Sequence, residues 1–234
     1  MIPRQLEPEV MDTREEAVDY NAMHHGEVNR LFVDDLLEFV LNGQNALGNS
    51  ARSVSITVLD LGTGTALIPI ELCNRIDRIK VVAVDMAQEM LKLAQENIKQ
   101  VNLEHRIVLE IVDAKKLSFS DQTFDIVISN SLIHHIPDPI TVFREVIRVL
   151  KPGGFLFMRD LVRPDFVDQV DHLVEAYAGQ ENHHQQQLLR DSLHAALTFK
   201  EVQGLLEELS LPKNAARMSS DRHWTVSLTL PRST

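Results

Sequence analysis

Two stretches decide the fold: VLDLGTGTA at residues 58–66 and KVVAVD at residues 80–85. Each is an apolar run with an acid at or near its carboxyl end, which predicts a buried strand that leads into a loop. Glycine in the first loop allows the backbone to approach a ligand closely. Together the two stretches predict a nucleotide-cofactor site at the ends of two strands.

The spacing of the glycines argues against a dinucleotide. A dinucleotide-binding loop has the pattern G-x-G-x-x-G, in which the third glycine lets the following helix pack closely and face a pyrophosphate. Here Gly62 and Gly64 are followed by Leu67 at the third position, and Asp60 precedes them by two residues. A carboxylate at this place would repel a pyrophosphate, whereas it would attract the ammonium and sulfonium groups of S-adenosylmethionine.

With Asp60 ahead of the glycines and Asp85 at the end of the next strand, the chain resembles the class I S-adenosylmethionine-dependent methyltransferases. The resemblance is strongest over residues 54–161. It implies that S-adenosyl-L-methionine is the cofactor and S-adenosyl-L-homocysteine the product. A nicotinamide-dependent dehydrogenase is the alternative from another class of enzyme, and binding of one cofactor but not the other would separate the two.

Length and charge narrow the classes of function. A chain of 234 residues with a net charge of −11 can bury one substantial core, and its charge makes a nucleic acid an unfavourable partner. The N-terminal residues lack a signal-peptide pattern, and no segment is apolar for long enough to span a bilayer. We therefore expect a cytoplasmic protein with no membrane partner; the oligomeric state cannot be predicted.

Strand and helix patterns alternate through the centre of the chain, which predicts a parallel sheet with helices on both faces. Residues 215–219 and 224–230 follow as two strands joined by a short turn. They must be antiparallel, because a parallel return needs a crossover of about a dozen residues. The predicted fold is an α/β three-layer Rossmann-like sandwich with a mostly parallel seven-stranded sheet whose last strand is antiparallel, as in the family that the chain resembles. The predicted elements are strands 54–61, 80–84, 106–112, 124–129 and 154–161 and helices 66–77, 87–101 and 139–150.

A single methyltransferase domain with four consecutive parts is expected. These are a helical extension or lid at 1–53, the cofactor-binding core at 54–161, a helical acceptor-side segment at 162–214 and a closing hairpin at 215–234. Within the extension, apolar residues at helical spacing predict a helix through residues 14–41. A turn-rich loop is expected at residues 42–50, and a turn at residues 151–154.

The resemblance assigns the methionine end of the cofactor to Asp60, Gly62, Thr63 and Gly64, with the glycine amides near the cofactor carboxylate. Asp85 stands where the chain leaves the sheet, and its carboxylate can accept hydrogen bonds from both ribose hydroxyls. An N-cap for the following helix is the alternative role of Asp85. A tight turn is the alternative for the glycines, although it does not explain Asp60.

The resemblance assigns the adenine end to Met86, Asp113 and Ala114. Met86 would lie against the ring, and Asp113 would accept a hydrogen bond from the exocyclic amine, unless it only caps its loop. Asn130, at the end of the fourth strand, completes the predicted cofactor residues together with Tyr20 of the extension. Tyr20 belongs to a possible lid with Met23, His24 and His25 that would exclude water during transfer.

The acceptor side is less well determined. After the fourth strand, Asn130 is followed by Ser131-Leu132-Ile133 and not by the N-P-P-Y-like motif of enzymes that methylate exocyclic amines of nucleobases. The later stretch, from His134 to Pro139, resembles the border of the acceptor pocket in quinone-type and other small-molecule methyltransferases. We therefore expect a small-molecule acceptor. RNA or protein methylation and non-catalytic binding of the cofactor are the alternatives.

His134 and His135 are the candidate catalytic bases, because imidazole titrates near neutral pH. Adjacent histidines on a loop are not expected to face one cavity, and a structural role for either is the competing interpretation. The remaining histidines of the C-terminal half have no metal-ligand spacing, so no metal site is predicted. These histidines are His172, His183, His184 and His194.

Overall fold

A computed structural model of the chain describes residues 2–10, 12–22, 26–47 and 55–232. The α-helices within these residues are α1 (Arg14–Ala22), α2 (Gly26–Leu47), α3 (Leu67–Arg75), α4 (Gln88–Gln100), α5 (Pro139–Val149), α6 (Val167–Ala178), α7 (His183–Ala195) and α8 (Phe199–Glu208). The strands are β1 (Ile56–Leu61), β2 (Ile79–Asp85), β3 (Ile107–Ile111), β4 (Phe124–Asn130), β5 (Leu150–Leu161), β6 (Ala216–Met218) and β7 (His223–Thr229). Short 3-10 helices span Ile133–His135 and Lys213–Ala215.

The seven strands form one sheet in the order β3-β2-β1-β4-β5-β7-β6. Strand β1 pairs in parallel with β2 and with β4, and β2 pairs in parallel with β3. Strands β6 and β7 are antiparallel, with Arg217 opposite Thr225. The predicted Rossmann-like α/β fold, with a mostly parallel seven-stranded sheet and an antiparallel pair at its end, is confirmed.

Residue contacts divide the chain into two compact units. The first unit consists of Met1–Val10, Asn130–Ile140 and Met158–Val226. The second unit consists of Met11–Ser129, Thr141–Phe157 and Ser227–Thr234. The four-part division of a single domain stays a prediction.

Helix α2 belongs to the core of the second unit. Its residues Phe32, Val33 and Leu36 are fully buried, because their spacing of one to four residues places them on one face of the helix. The Phe32 ring meets the ring of Phe157 edge to face, with centroids 5.1 Å apart. Burial of such side chains contributes about 1.5–3 kcal/mol each. Helix α2 therefore stabilises the unit as a structural element, whatever else the N-terminal extension does.

Two predicted loops are wrong in their extent. Helix α2 continues to Leu47, so residues 42–47 of the predicted loop are helical, and residues 48–50 lie outside the described residues. Strand β5 begins at Leu150, four residues before its predicted start. Gly153 remains in the ladder there with a φ of 79°, and its N–H donates to the Leu230 carbonyl at 3.0 Å. This pairing extends the strand through residues whose composition is typical of a turn.

The other predicted elements match the observed ones to within a few residues. Helical periodicity after residue 165 corresponds to α6, α7 and α8, with the expected break at Gly179. Across the described part of the chain, no helix has the length and apolarity that crossing a bilayer requires.

Helix α2 also supplies a matched test of the core. We expect Leu36→Ala to lower the free energy of unfolding by about 2–5 kcal/mol, because the side chain is fully buried and its loss leaves a cavity. Leu41→Ala, on the same helix but 56% exposed, should change it by less than about 0.5 kcal/mol. Urea unfolding of both variants provides the measurement. Equal effects would contradict the placement of α2 in the core.

Candidate functional site

The loop after β1 turns sharply because three of its residues adopt left-handed backbone conformations. Gly62, Gly64 and Ala66 have φ values of 68°, 55° and 61°. The N–H groups of Gly62 and Thr63 both donate to the carbonyl of Val84, at 2.9 and 3.0 Å. Backbone hydrogen bonds therefore hold the loop to the end of β2. Two of the three left-handed residues are glycines, which adopt this conformation without the steric cost that other residues meet.

The start of α3 leaves backbone donors available. Ala66 occupies the N-cap position and has no side chain that could accept a hydrogen bond from the first turn. The first N–H groups of a helix have no partner within the helix, and they carry the positive end of its dipole. A negatively charged group of a ligand would be stabilised at this position.

Asp85 joins the two loops at the ends of β1 and β2. Its Oδ2 accepts a hydrogen bond from the Gly64 N–H at 2.8 Å, and its Oδ1 accepts one from the Ala87 N–H at 2.9 Å. Burial raises the pKa of Asp85, and these backbone hydrogen bonds partly oppose that effect. The N-cap residue of α4 is Ala87, so Asp85 stabilises the start of this helix from two residues away. The Met86 N–H also donates to this carboxylate. A carboxylate has about four acceptor sites, so Asp85 retains the capacity to accept a further hydrogen bond.

Asp60 is only 2% exposed at the end of β1. Burial raises the pKa of Asp60 to about 7, with a smaller lowering by Thr63 and a further increase from the negative charge of Asp85. Among the described residues, no lysine or arginine forms an ion pair with either carboxylate. The buried hydroxyl of Thr65 has no hydrogen-bond partner among the described residues. This loop therefore combines negative charge with an unsatisfied hydroxyl, as a site for a polar cation would.

Helix α1 lies next to the same loop. The side-chain amide of Asn97 donates to the Asn21 side chain at 2.9 Å and to the Thr65 carbonyl at 3.0 Å, so it links α4, α1 and the loop. A Cβ added to Gly64 would lie 3.4 Å from the Tyr20 ring. Burial raises the pKa of Tyr20 to about 12, with contributions from the charges of Asp85 and Asp60.

Tyr20, which is predicted to contact the cofactor, thus lies beside the glycine loop. The other predicted lid residues, Met23, His24 and His25, lie outside the described residues. Closure of a lid stays a prediction.

The residues assigned to adenine follow β2 and β3. Met86 is 42% exposed, and Ala114 is buried. Asp113 accepts a hydrogen bond from the Lys115 N–H at 2.9 Å through Oδ1, which also lies 3.2 Å from the Lys115 ammonium. Asp113 therefore caps its own loop in the structure. The second oxygen of its carboxylate can still accept a hydrogen bond from a ligand.

A second cluster of candidate residues lies in the first unit. Asn130 ends β4, and its side-chain amide donates to the Ser131 hydroxyl at 3.2 Å. Ser131 has a left-handed φ of 58°, and the 3-10 helix that carries both histidines follows it. The sharp turn at Ser131 changes the direction of the chain before His134 and His135.

His134 is buried against Asp160, which ends β5 together with Leu161. The His134 Nδ1 lies 2.5 Å from Asp160 Oδ1, and Asp160 Oδ2 accepts the backbone N–H of Ile133 at 2.5 Å. Burial lowers the pKa of His134, but the negative charge and hydrogen bond of Asp160 outweigh it, and the net shift is upward. The same interaction keeps the pKa of Asp160 below its usual value despite burial. His134 and Asp160 therefore form a buried, charge-coupled pair.

His135 stacks on His134, with ring centroids 4.2 Å apart. His134 Nε2 and His135 Nδ1 each lie 3.4 Å from Oε1 of Glu7. The tight 3-10 turn thus lets both rings reach the same carboxylate. The expectation that they do not both face one cavity stays a prediction. Burial lowers the pKa of His135 to about 4, and the positive charge of His134 adds to this effect.

The N-terminal segment holds Glu7 in this position. The Arg4 guanidinium donates to the carbonyls of Ala195 at 2.6 Å and Ile136 at 2.9 Å, and the Gln5 N–H donates to the His194 carbonyl at 3.1 Å. The Ser192 hydroxyl donates to Glu7 Oε1 at 3.2 Å. Residues far apart in sequence thus fix one carboxylate beside the histidine pair.

Sequence reasoning did not identify Glu7, Arg4 or Asp160. Asp160 follows the same pattern as Asp60 and Asp85, an acid at the end of an apolar strand, and that pattern would have found it. Neither Glu7 nor Arg4 belongs to a local motif. Their positions depend on contacts with residues more than a hundred positions away.

Comparison with known proteins supports the interpretation of the second unit's loop. Residues 52–209 match the family described as "Methyltransferase domain". The chain is 30% identical to the malonyl-[acyl-carrier protein] O-methyltransferase of Marinomonas sp. over 65% of its own length and 55% of that protein. It is 34% identical to the demethylmenaquinone methyltransferase of Porphyromonas gingivalis over 46% of its length and 44% of that protein. The matches thus span about half the length of these curated relatives.

A solved structure shows the same fold at low sequence identity. It is that of a putative S-adenosylmethionine-dependent methyltransferase from Methanococcus maripaludis, with a TM-score of 0.62, 16% identity and coverage of 100% of this chain and 99% of that one. The family match extends over more than half of the chain, and the predicted resemblance is confirmed. The chain belongs to the methyltransferase domain family, as a class I S-adenosylmethionine-dependent member.

Proposed function

We propose that this protein transfers the methyl group of S-adenosylmethionine to a small-molecule acceptor. One observation carries the proposal: Asp60 and Asp85 meet at the glycine loop without a basic partner among the described residues. A positively charged ligand would compensate this charge. The cofactor has both an ammonium and a sulfonium, whereas its demethylated product has lost the sulfonium charge.

The proposal assigns the methionine part of the cofactor to Asp60, Gly62, Thr63 and Gly64. The uncapped first turn of α3 offers backbone donors to its carboxylate. Asp85 would accept hydrogen bonds from the ribose with the capacity that its bonds to backbone leave free. The remaining assignments are Met86, Asp113 and Ala114 for adenine, with Asn130 and Tyr20 as further contacts.

Methyl transfer from a sulfonium is an in-line displacement for which positioning supplies much of the rate. The acceptor attacks the methyl carbon as the bond from that carbon to sulfur breaks, and a hydroxyl or amine acceptor also loses a proton. We propose that His134 or His135 takes this proton. Asp160 supports His134 in that role, because it occupies Nδ1 and leaves Nε2, which lies 3.4 Å from Glu7 Oε1, as the atom that exchanges the proton.

A small acceptor agrees with the charge and with the relatives. The net charge of −11 disfavours a nucleic-acid substrate. The two curated relatives are named for methylation of a malonyl group on a carrier protein and of a quinone precursor. For this chain we propose an acceptor with an ionisable oxygen or an activated carbon, in the cytoplasm. Formation of S-adenosylhomocysteine with a panel of hydroxyquinones, phenols and acyl thioesters tests the acceptor class.

Asp85→Ala tests the cofactor site. We expect the dissociation constant of S-adenosylmethionine to rise by about 10–100-fold, because charge-assisted hydrogen bonds of about 1.5–3 kcal/mol are lost. Asp77→Ala is the matched control, since Asp77 is an exposed acid that precedes the opposite end of β2. Isothermal titration calorimetry gives both constants. Unchanged affinity in Asp85→Ala would remove the assignment.

The pKa of Asp60, about 7, predicts a pH dependence of binding. This pKa is raised, so the carboxylate loses its charge as the pH falls below 7 and attracts the cation less. We expect the dissociation constant of S-adenosylmethionine to rise by about tenfold from pH 8 to pH 6. Asp60→Asn should bind weakly at both pH values. If this variant instead kept the wild-type pH profile, Asp60 would not be the titrating group.

His134→Gln and His135→Gln test the proposed base. Once an acceptor is known, loss of the base should lower kcat by about 10²–10⁴-fold and leave cofactor affinity unchanged. His172→Gln, on the exposed face of α6, is the control. In Asp160→Asn, the pKa of His134 should fall, because burial then acts without the compensating charge; NMR titration of the imidazole measures it. Wild-type kcat in both glutamine variants would exclude a base at this pair.

A further inference from the structure

We propose that Glu7, His134 and His135 bind a divalent transition-metal cation, with Zn²⁺ as the ion that suits their donor atoms best. One donor atom from each residue lies within 4.8 Å of the other two. Two imidazole nitrogens and one carboxylate oxygen form a ligand set typical of zinc, whereas Mg²⁺ and Ca²⁺ prefer oxygen ligands alone. All three residues belong to the first unit.

The distances fit ligands of a common ion better than they fit hydrogen bonds. Glu7 Oε1 lies 3.4 Å from His134 Nε2 and 3.4 Å from His135 Nδ1. Two ligands at tetrahedral angles and about 2.0–2.1 Å from a zinc ion are about 3.3–3.4 Å apart. Hydrogen bonds between nitrogen and oxygen are typically about 2.7–3.2 Å long. In the same cluster, the true hydrogen-bonded pair of His134 Nδ1 and Asp160 Oδ1 is 2.5 Å apart.

Asp160 orients His134 as the outer carboxylate of a metal site does. It occupies Nδ1 of the ring and leaves Nε2, the nitrogen near Glu7, as the donor for an ion. An ion at Nε2 would occupy the nitrogen that is proposed above as the base, so His134 performs one of these two roles at a time. Asp160 is itself fixed by the backbone N–H groups of Ile133 at 2.5 Å and Leu161 at 2.6 Å. Such a carboxylate sets the tautomer and strengthens the ligand, and its loss commonly costs 10–100-fold in affinity.

Glu7 is held in place by contacts that do not depend on an ion. The Ser192 hydroxyl donates to Oε1, and the neighbouring Arg4 and Gln5 are anchored on the carbonyls of Ala195 and His194. The Pro8 carbonyl lies 3.3 Å from His135 Nδ1, at hydrogen-bond distance, and an ion bound at Nδ1 would replace this contact. An ion would thus enter a set of ligands that is largely preformed, and it would link the N-terminal segment to the loop of the histidine pair.

Metal binding is measured without the methyl donor, so its outcome is independent of the proposed function. The chain of 234 residues is freed of metal with a chelator and titrated with Zn²⁺, Co²⁺ and Mg²⁺ by calorimetry. We expect one Zn²⁺ per chain, and a visible absorption band of four-coordinate Co²⁺. Mg²⁺ should bind at least tenfold more weakly than Zn²⁺.

Glu7→Gln should weaken Zn²⁺ binding by at least about tenfold and change the Co²⁺ spectrum. The exposed pair His183 and His184 on α7 gives the matched control, since His183→Gln with His184→Gln removes two adjacent histidines elsewhere. Far-UV circular dichroism checks the folding of each variant, and His135→Gln replaces Glu7→Gln if the latter does not fold. The proposal is overturned if Zn²⁺ fails to bind, if Glu7→Gln and His135→Gln both bind it like wild type, or if the His183/His184 variant loses it.

Discussion

The hydrogen bonds of the Asp85 carboxylate are the constraint on which the glycine loop after β1 depends. One oxygen holds Gly64 and the other holds Ala87, so a single side chain sets the ends of two parallel strands at once. The left-handed conformation of Ala66 would cost free energy in an isolated loop, and fixing Gly64 in a single conformation would cost backbone entropy. Because the native contacts enforce them, a cofactor bound at the proposed site would meet a loop that is already shaped, and binding would not have to order it.

The parallel sheet could be predicted because its signals are local. Apolar strands, helical periodicity and an acid at each strand end identified β1 to β4 nearly to the residue. The end of α2 and the start of β5 were wrong, because residues with turn-like composition can continue a helix or a strand when neighbouring segments pair with them. Gly153 shows this directly, since its N–H bonds to the carbonyl of Leu230 far along the chain.

The acceptor side could be predicted only in part, and for the same reason. His134 and His135 stand out in the sequence, but their chemical state depends on groups that do not. Asp160 raises the pKa of one imidazole, and burial lowers the pKa of the other to about 4, so adjacent residues of the same type become chemically different. A sequence motif can therefore identify the two histidines, but it does not reveal that their pKa values shift in opposite directions. That information lies in tertiary contacts.

The first unit combines segments that are far apart in the sequence, and this determines when it can fold during synthesis. Arg4 and Gln5 donate hydrogen bonds to carbonyls at residues 194 and 195, and the unit joins Met1–Val10 to Met158–Val226. A ribosome makes the amino terminus first, so these donors emerge long before their acceptors exist. Residues 4 and 5 cannot form these hydrogen bonds until residues 194 and 195 have been translated, and native folding of the first unit therefore follows synthesis of those residues.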